Sequence, residues 1–599
     1  MRAYAGKIAY VDLTSGKIEV KELDKALAEK FIGGRGLGVK MLYDANVASV
    51  DPLGPLNQLI LMNGPMTGTQ VPTGGRYNVL TKSPLTNKIA YGNSGGVWGA
   101  KLKYAGWDGI VFTGKSEKPV YLNINEDKIE LLDATKYWGT LSADCDKQLK
   151  EVHKGASVLC ISPGGENLSL MACIMNDLDR ACGRSGVGAV MGSKNLKAVV
   201  VTSSKIKQET NDEDALKVAA TKCFEMLKEN GVTGQGLKAY GTAVLVNIIN
   251  GIGALPTKNW QLSQHDRADE ISGESLAENY LVKNSYCHRC PIGCGRVVKL
   301  KNEEVVGGPE YEPLWAYGSN CNVHDLEAIN EANYLCNEYG IDAISTPCTI
   351  ATAMEMYQRN ILTDEDCEGI PLVWGSGEAI VEWTRRIGKN ETKLGQLMAK
   401  GSKVLCDHYG CPDLSISVKS QELPAYDGRA IQGIGLNYAT SNRGGCHVNG
   451  YTVSPEVLGL PEQLDRTATE GKALWVKIFQ DLTCVIDSMG MCLFTSFALG
   501  APEYAALLNA GTGTNYTVEQ LLHVGERIYN LERMFNKDAG MKPEEDTLPK
   551  RLLEEPIANG PSKGMVSRLD EMLPEYYELR GWKNAFPTEE TIKKLDLDK

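Results

Sequence analysis

The stretch CHRCPIGC sets three thiols at Cys287, Cys290 and Cys294, a C-x2-C-x3-C run within one loop. Zinc closes its tetrahedron with two C-x2-C knuckles, or with two cysteines and two histidines. No second knuckle follows here, and tight thiolate runs completed by one distant cysteine are the habit of iron–sulfur clusters. The spacing therefore favours a [4Fe–4S] cluster over zinc, and zinc over a metal-free packing role. Pro291 stiffens the loop directly after Cys290, and His288 is expected to point outward. A fourth thiolate must come from elsewhere; Cys321, Cys446, Cys484 and Cys492 are all open by sequence distance.

Two later segments echo one another: NEYGID, from Asn337 to Asp342, and DSMGMC, from Asp487 to Cys492. Each follows a helical stretch and carries a glycine, Gly340 or Gly490, where a helix can stop with a left-handed cap. An Asp at the first position accepts two parallel hydrogen bonds from an amidine-like edge, such as the amino group and ring N–H of a pterin. Asp487 can do this, whereas Asn337 has one acceptor atom and two donors and is the weaker half. The plain alternative is a pair of ordinary helix ends.

These residues need a scaffold. The first 200 positions alternate strands with glycine loops. KIAYVDLTSGKIEV predicts a hairpin turning at Thr14-Ser15-Gly16, and DGIVFTG and VYLNINEDKIELLDA predict further strands. GGRGLG, GPMTGTQVPTGGR, GNSGGVWG and GRSGVGAVMGSKN are loops that let backbone approach a ligand closely. Beyond SSKIKQETND the period becomes helical. DEDALKVAATKCFEMLKENG sets Leu216, Ala219, Ala220, Cys223 and Leu227 on one face with Gly231 as C-cap. A late helix starts at Thr517 with a capping box to Gln520. The fold class is α+β: a β-rich N-terminal domain over 1–205, then two mainly helical domains over 206–410 and 411–599, with the ligand site buried between them.

Composition narrows the function. The 599 residues carry a formal net charge of -12, so the chain is a poor non-specific partner for nucleic acid or an anionic membrane. No apolar run of about 20 residues predicts a membrane span. Seventeen cysteines without a secretory leader point to a reducing, cytoplasmic setting, with isolated ones such as Cys145, Cys160, Cys173 and Cys223 packed in the core. GRGLG and GVGAVMG mimic a dinucleotide fingerprint but lack its strand–turn–helix context and distant acid.

Taken together and in order, GGRGLG, GPMTG…GGR, NSGGVWGAKLKYAGWDGIVFTG, RACGRSGVGAVMGSKNLKAV, CHRCPIGCGRVVK, GPEYEP, NEYGID, RGGCH and DSMGMC resemble the tungsten-containing aldehyde:ferredoxin oxidoreductase family over nearly the whole chain. The resemblance implies a tungsten (or molybdenum) ion held by two pterin dithiolenes beside a [4Fe–4S] cluster. It assigns the cluster to Cys287, Cys290, Cys294 and Cys492. It assigns one pterin to Asn337, Ile341 and Asp342 and the other to Asp487 and Met491, with Asn337 standing where the family usually has Asp. Arg76 would reach cofactor and cluster. Asn93, Gly95, Arg180, Ala181 and Gly183 would line the phosphate region, with the Asn93 and Ala181 carbonyls on a bridging Mg2+.

The same resemblance places Glu312 and His447 beside the metal. Glu312 suits a general base for water or aldehyde hydrate if burial raises its pKa, and His447 can polarise the carbonyl. Alternation would put Glu310 on the opposite side of an extended segment from Glu312, and Cys321 or Cys446 could be an extra metal ligand. The implied reaction is oxidation of an aldehyde to a carboxylic acid, or the reverse, with electrons passing to ferredoxin or a dedicated iron–sulfur subunit. A homodimer is compatible with the resemblance. The metal bridge that some members build between subunits is not expected, because Glu331 has no histidine between His324 and His408 to complete it. A low-potential reductase acting on an aromatic thioester or acid is the rival within the family, and a non-catalytic zinc-stabilised scaffold the rival outside it.

Overall fold

Alternation in KIAYVD and KIEVKE closes the first hairpin. β1 (Lys7–Asp12) pairs antiparallel with β2 (Lys17–Glu22), Asp12 facing Lys17 across a turn in which Gly16 has φ 73°. The computed structural model describes residues 1–598. The hairpin is one edge of a six-stranded sheet completed by β3 (Leu59–Asn63), β4 (Tyr77–Lys82), β5 (Ile89–Ser94) and β6 (Gly109–Thr113), in the order β2-β1-β6-β3-β4-β5. β3 and β4 are buried on both faces, as their continuous apolar character demands.

A second sheet, ordered β11-β10-β9-β12-β7-β8, comprises β7 (Val120–Asn125), β8 (Lys128–Asp133), β9 (Ser157–Cys160), β10 (Ile174–Asn176), β11 (Arg180–Cys182) and β12 (Leu196–Thr202). One apolar layer joins the two sheets, with Leu59, Leu61 and Phe112 from the first and Leu122, Val199 and Val201 from the second. β5 and β11 lie against each other where the sheets meet, which brings Asn93 next to Ala181.

From Glu213 onward the chain is mainly helical. The helix Glu213–Glu229 buries Leu216, Ala220, Cys223 and Leu227, as its period predicts. It ends on Asn230 rather than on Gly231: Asn230 turns extended (φ -68°, ψ 131°) and its side chain accepts from the N–H groups of Val232 and Thr233, opening the next turn. The capping box of Thr517 and Gln520 opens the helix Val518–Asp538 as expected. A short three-stranded sheet, β13 (Leu281–Ser285), β14 (Gly295–Lys299) and β15 (Val305–Gly307), holds the cysteine run in its first connection.

The helices Leu326–Tyr339 and Lys472–Met489 both end on left-handed glycines, Gly340 (φ 62°) and Gly490 (φ 84°). At these two ends the chain swings from a buried helix toward the sheets, presenting the residues on either side of each cap to one cavity. Among the described residues no helix is long and apolar enough to cross a membrane.

Candidate active site between sheets and helices

A cavity of about 380 Å³ lies between the N-terminal sheets and the helical region. Three of the four glycine segments, both cap motifs and the cysteine run reach it; the fourth, GGRGLG, opens the helix Gly34–Asp44 instead and stays outside the lining. Asn93, Gly95, Arg180, Ala181 and Gly183 line it, as do Asn337, Ile341, Asp342 and Asp487. Arg76, Cys287, Cys294 and Cys492 line it too, as do Glu312 and His447. The Met491 side chain instead packs in the core, fully buried, and does not line the cavity.

Cys492, 198 residues from Cys294 in sequence, is drawn to the cysteine run by backbone geometry. Its N–H donates to Thr73 Oγ1 at 3.1 Å, and the Thr73 N–H donates to the Arg289 carbonyl at 3.0 Å, inside the run. Arg76 Nη2 donates to Cys492 Sγ at 3.2 Å and its Nη1 to Asn93 Oδ1 at 3.1 Å. Burial opposes the guanidinium's charge, but the sulfurs of Cys492, Cys287, Cys294 and Cys290 outweigh burial and raise its pKa. The approach requires glycine at 95, where a Cβ would sit 2.6 Å from Cys287 Sγ. Burial, first among the causes, raises the pKa of Cys290, Cys294 and Cys492, so these thiols hold their protons until something stronger displaces them.

The other three sequence candidates do not reach the run. The thiol of Cys321 donates to the Ala316 carbonyl at 3.3 Å inside the helical core. Cys446 Sγ accepts from Arg443 Nε at 3.1 Å and lies outside the cavity lining. Cys484 is fully buried on the helix Lys472–Met489. His288 does not point outward but tucks against Tyr104, 3.4 Å from its hydroxyl. Among the described residues no three His, Cys, Asp or Glu side chains close around a single-ion point. Cys287, Cys294 and Cys492 line the cavity, and Cys290, outside the lining, is near enough to act with them on the Arg76 guanidinium.

Each cap-motif carboxylate is held by an arginine that motif reading missed. Arg35 Nη1 donates to Asp487 Oδ2 at 3.1 Å, while its Nε and Nη2 grip Glu532 at 2.7 and 3.0 Å. Arg184 Nε donates to Asp342 Oδ2 at 3.0 Å and also bonds the carbonyls of Gly445 and Glu422. Burial raises the pKa of Asp487, with Arg35 acting against it. Five arginines (Arg76, Arg180, Arg184, Arg296 and Arg443) line the cavity of a chain whose overall charge is negative.

Glu312 is not on an extended segment. It lies in the first turn of the helix Tyr311–Tyr317, two residues beyond the N-cap Glu310, where Pro313 is also tolerated. Glu310, the extended N-cap, also lines the cavity, with Oε1 3.9 Å from Arg180 Nη1. Glu312 Oε2 accepts from the Ala425 N–H at 3.0 Å, but its buried Oε1 has no partner, and neither has His447 Nδ1. Glu312 Oε1 and His447 Nε2 are 3.6 Å apart, too far for a hydrogen bond. Burial pushes the Glu312 pKa up to about 8 and, aided by Arg184 and Arg443, holds that of His447 well below its usual value. At neutral pH the pair is thus a carboxylic acid beside a neutral imidazole, not an ion pair. Two unpartnered buried polar atoms facing a cavity are what a reactant would satisfy.

Glu312 and His447 also border a second cavity of about 390 Å³, lined by Val232, Leu245, Tyr311, Tyr426, Tyr451, Phe494 and Phe497 among others. The Tyr426 and Tyr451 hydroxyls are 2.9 Å apart, and both rings pack around the His447 imidazole. No motif announces this pocket, since its walls come from five separated segments.

The chain matches two family models. One, described as aldehyde ferredoxin oxidoreductase, N-terminal domain, covers residues 8–203; the other, aldehyde ferredoxin oxidoreductase, domains 2 and 3, covers 218–597. It is 50% identical over 582 residues to the tungsten-containing aldehyde ferredoxin oxidoreductase of Pyrococcus furiosus, covering 96% of each chain. It is 48% identical to that of Pyrococcus abyssi over the full length of both. An aliphatic sulfonate oxidoreductase, WOR-like subunit, of Pyrococcus furiosus is 32% identical over 100% of this chain and 97% of its own. Among solved structures, the active site complex BamBC of benzoyl coenzyme A reductase shares the fold with a TM-score of 0.86 at 24% identity, covering 100% of this chain and 97% of that one.

Proposed function

The chain belongs to the aldehyde ferredoxin oxidoreductase family, and from that premise we propose that it oxidises aldehydes to carboxylic acids, with water as the oxygen source and a ferredoxin as electron acceptor. The overall change consumes one water and releases two electrons and two protons for each aldehyde. The observation that carries the reading is the junction of the two cavities, where Glu312 and His447 each leave a buried polar atom unpartnered.

The residues fit a tungsten (or molybdenum) bis-pterin with a [4Fe–4S] cluster on three counts. Cavity-facing arginines and close-packed glycines suit anionic pterin phosphates. The carbonyls of Asn93 and Ala181, on adjoining strands, suit a bridging Mg2+. Asp487 and Asp342, each flanked by a helix cap, suit the donor edges of two pterins, with Asn337 completing the second site less strongly. Cys287, Cys290, Cys294 and Cys492 would hold the cluster, and the Arg76 guanidinium would lie between cluster and cofactor. When bound, the metal accepts the electron pair of the oxidation and the cluster passes it on singly.

The chain's own work is binding, orientation and proton handling. The aromatic pocket takes the body of the aldehyde and excludes water around it. His447, kept neutral by burial, donates an N–H to the aldehyde oxygen and steadies the charge that develops there. The ionised form of Glu312 takes a proton from the attacking water or hydrate, its Oε2 anchored by the Ala425 N–H. Protein purified without oxygen is expected to carry about one tungsten or molybdenum and four irons per chain and to reduce a viologen dye with aldehydes. Zinc alone, with no dye reduction across an aldehyde panel, would overturn the reading in favour of a scaffold.

A further inference from the structure

Electrons leaving the proposed cluster need an exit, so the surface over the Cys287–Cys294 loop bears on that same reading. Cys287, Cys290 and Cys294 are only half-buried. Tyr286, beside Cys287, is 51% exposed and Val282, on β13, 49%. Val97, 40% exposed, follows Gly96, whose carbonyl accepts from the His288 N–H at 3.0 Å. All three lie on segments that adjoin or hydrogen-bond the loop.

Cations rim it. Lys228, Lys238, Lys283 and Arg289 are all exposed, and among the described residues none of the four pairs with a carboxylate. Arg289 stands 6.0 Å from the Phe224 ring, and Lys228 follows Phe224 by one helical turn on the same face. The carbonyl of Lys238 accepts from Asn284 Nδ2 at 2.8 Å, tying that lysine to the strand bearing Lys283. The acids on the neighbouring helix, Glu225 and Glu229, are each turned about 100° from Phe224 and Lys228 around its axis. Other cations of this chain do pair, Lys222 with Glu503, Lys299 with Glu303 and Lys7 with Asp127, while exposed Lys25, Lys147 and Lys217 do not among the described residues, so the four are distinguished by their place around the loop.

We propose that this face is the docking surface for a small, acidic iron–sulfur electron carrier of the ferredoxin class. An apolar centre with a polar rim is the anatomy of a specific interface. A chain of net charge -12 repels an acidic carrier at long range, so local unpaired cations must orient the encounter. Docking here also brings the carrier to the loop that bears the half-buried thiols.

The test uses the holoenzyme carrying K238E and K283E together, since neither lysine lines either cavity or flanks a cysteine of the run. Arg289 is left unchanged because it lies between Cys287 and Cys290. With an acidic two-cluster ferredoxin at low ionic strength, KM for the carrier is expected to rise about tenfold or more. The difference should shrink as salt is added. Viologen-linked aldehyde oxidation and the cluster's paramagnetic resonance signal should stay at wild-type level. An unchanged KM for ferredoxin with intact dye activity overturns the docking surface alone. A variant that instead changes its oligomeric state in light scattering shows that a second copy covers this face, and also overturns it. Failure of the wild-type protein to oxidise aldehydes with the dye would fall on the functional reading, not on this surface.

Discussion

At the scale of single residues, the arrangement turns on groups whose protonation is set by burial. With its pKa near 8, Glu312 is mostly protonated at pH 7, so its service as a base grows as pH rises through 8 and levels off above it. Viologen-linked kcat/KM is expected to follow that rise in the wild type. Glu312→Gln should lower it about 10²–10⁴-fold; a flat profile between pH 6.5 and 9 would mean that another group takes the proton. His447→Ala should retain metal yet lose turnover, by roughly 10²-fold if one stabilising donor is removed, with full metal content by elemental analysis as the control. Cys492→Ala tests the fourth ligand: absorption near 400 nm should fall while the far-ultraviolet dichroism of the fold persists. Full cluster absorption in that variant would send the search back to another thiol.

At the scale of elements, what was legible in the sequence is what obeys local rules. The cap motifs could be read because Gly340 and Gly490 are needed in the left-handed region, and the residues around a cap share one end of a helix. Three thiols in one loop were legible for the same reason, whereas the fourth needed the family resemblance, since Thr73 ties Cys492 to Arg289 through contacts no spacing reveals. Glu310 and Glu312 were misread on two counts: residues two apart on a strand share a face rather than oppose each other, and the segment beyond Glu310 is a helix. Arg35, Arg184 and Arg443 were visible only as letters in GGRGLG, GRSGVG and RGGCH; an arginine embedded in a glycine loop is the signal that could have marked them. The cap geometry is itself testable. A Cβ at 490 would lie 2.1 Å from Thr67 Oγ1, whose hydroxyl donates to the Arg76 carbonyl. Gly490→Ala should therefore cost about 1–3 kcal/mol, read as a lowered Tm, and should reduce iron content by disturbing both Arg76 and Cys492. Gly155→Ala, also at positive φ but with open space around it, should lower Tm without that loss of iron.

At the scale of the whole molecule, buried charge networks lock sequence-distant segments around the cavity. Arg35 joins Asp487 to Glu532, and Glu532 accepts from Asn442 Nδ2 at 3.0 Å, so the helix Gly34–Asp44, the second cap motif and the loop leading to His447 hang on one late helix. The same helix carries Arg533, which donates from Nε to Asn442 Oδ1 at 2.8 Å and from Nη1 to Asp546 at 2.9 Å; Lys419 Nζ reaches the same carboxylate at 2.9 Å. Burial alone would raise the pKa of Asp546, but Arg533 and Lys419 overcome it and hold it below the usual carboxylate range. The folded pKa lies below the unfolded value of about 3.9. The stability from this group is therefore present above that value and is lost as pH falls through the lower folded pKa. Asp546→Asn leaves two buried cations facing a neutral amide and should cost about 3–5 kcal/mol at pH 7. In thermal melts the gap in Tm between wild type and variant should narrow as pH falls below about 4, because the wild-type carboxylate is then being protonated as well. A gap that stays constant down to pH 2 would show that Asp546 acts by shape and not by charge. The loop 440–447 would then owe its position to packing against Tyr529, whose hydroxyl donates to the Thr440 carbonyl at 2.9 Å.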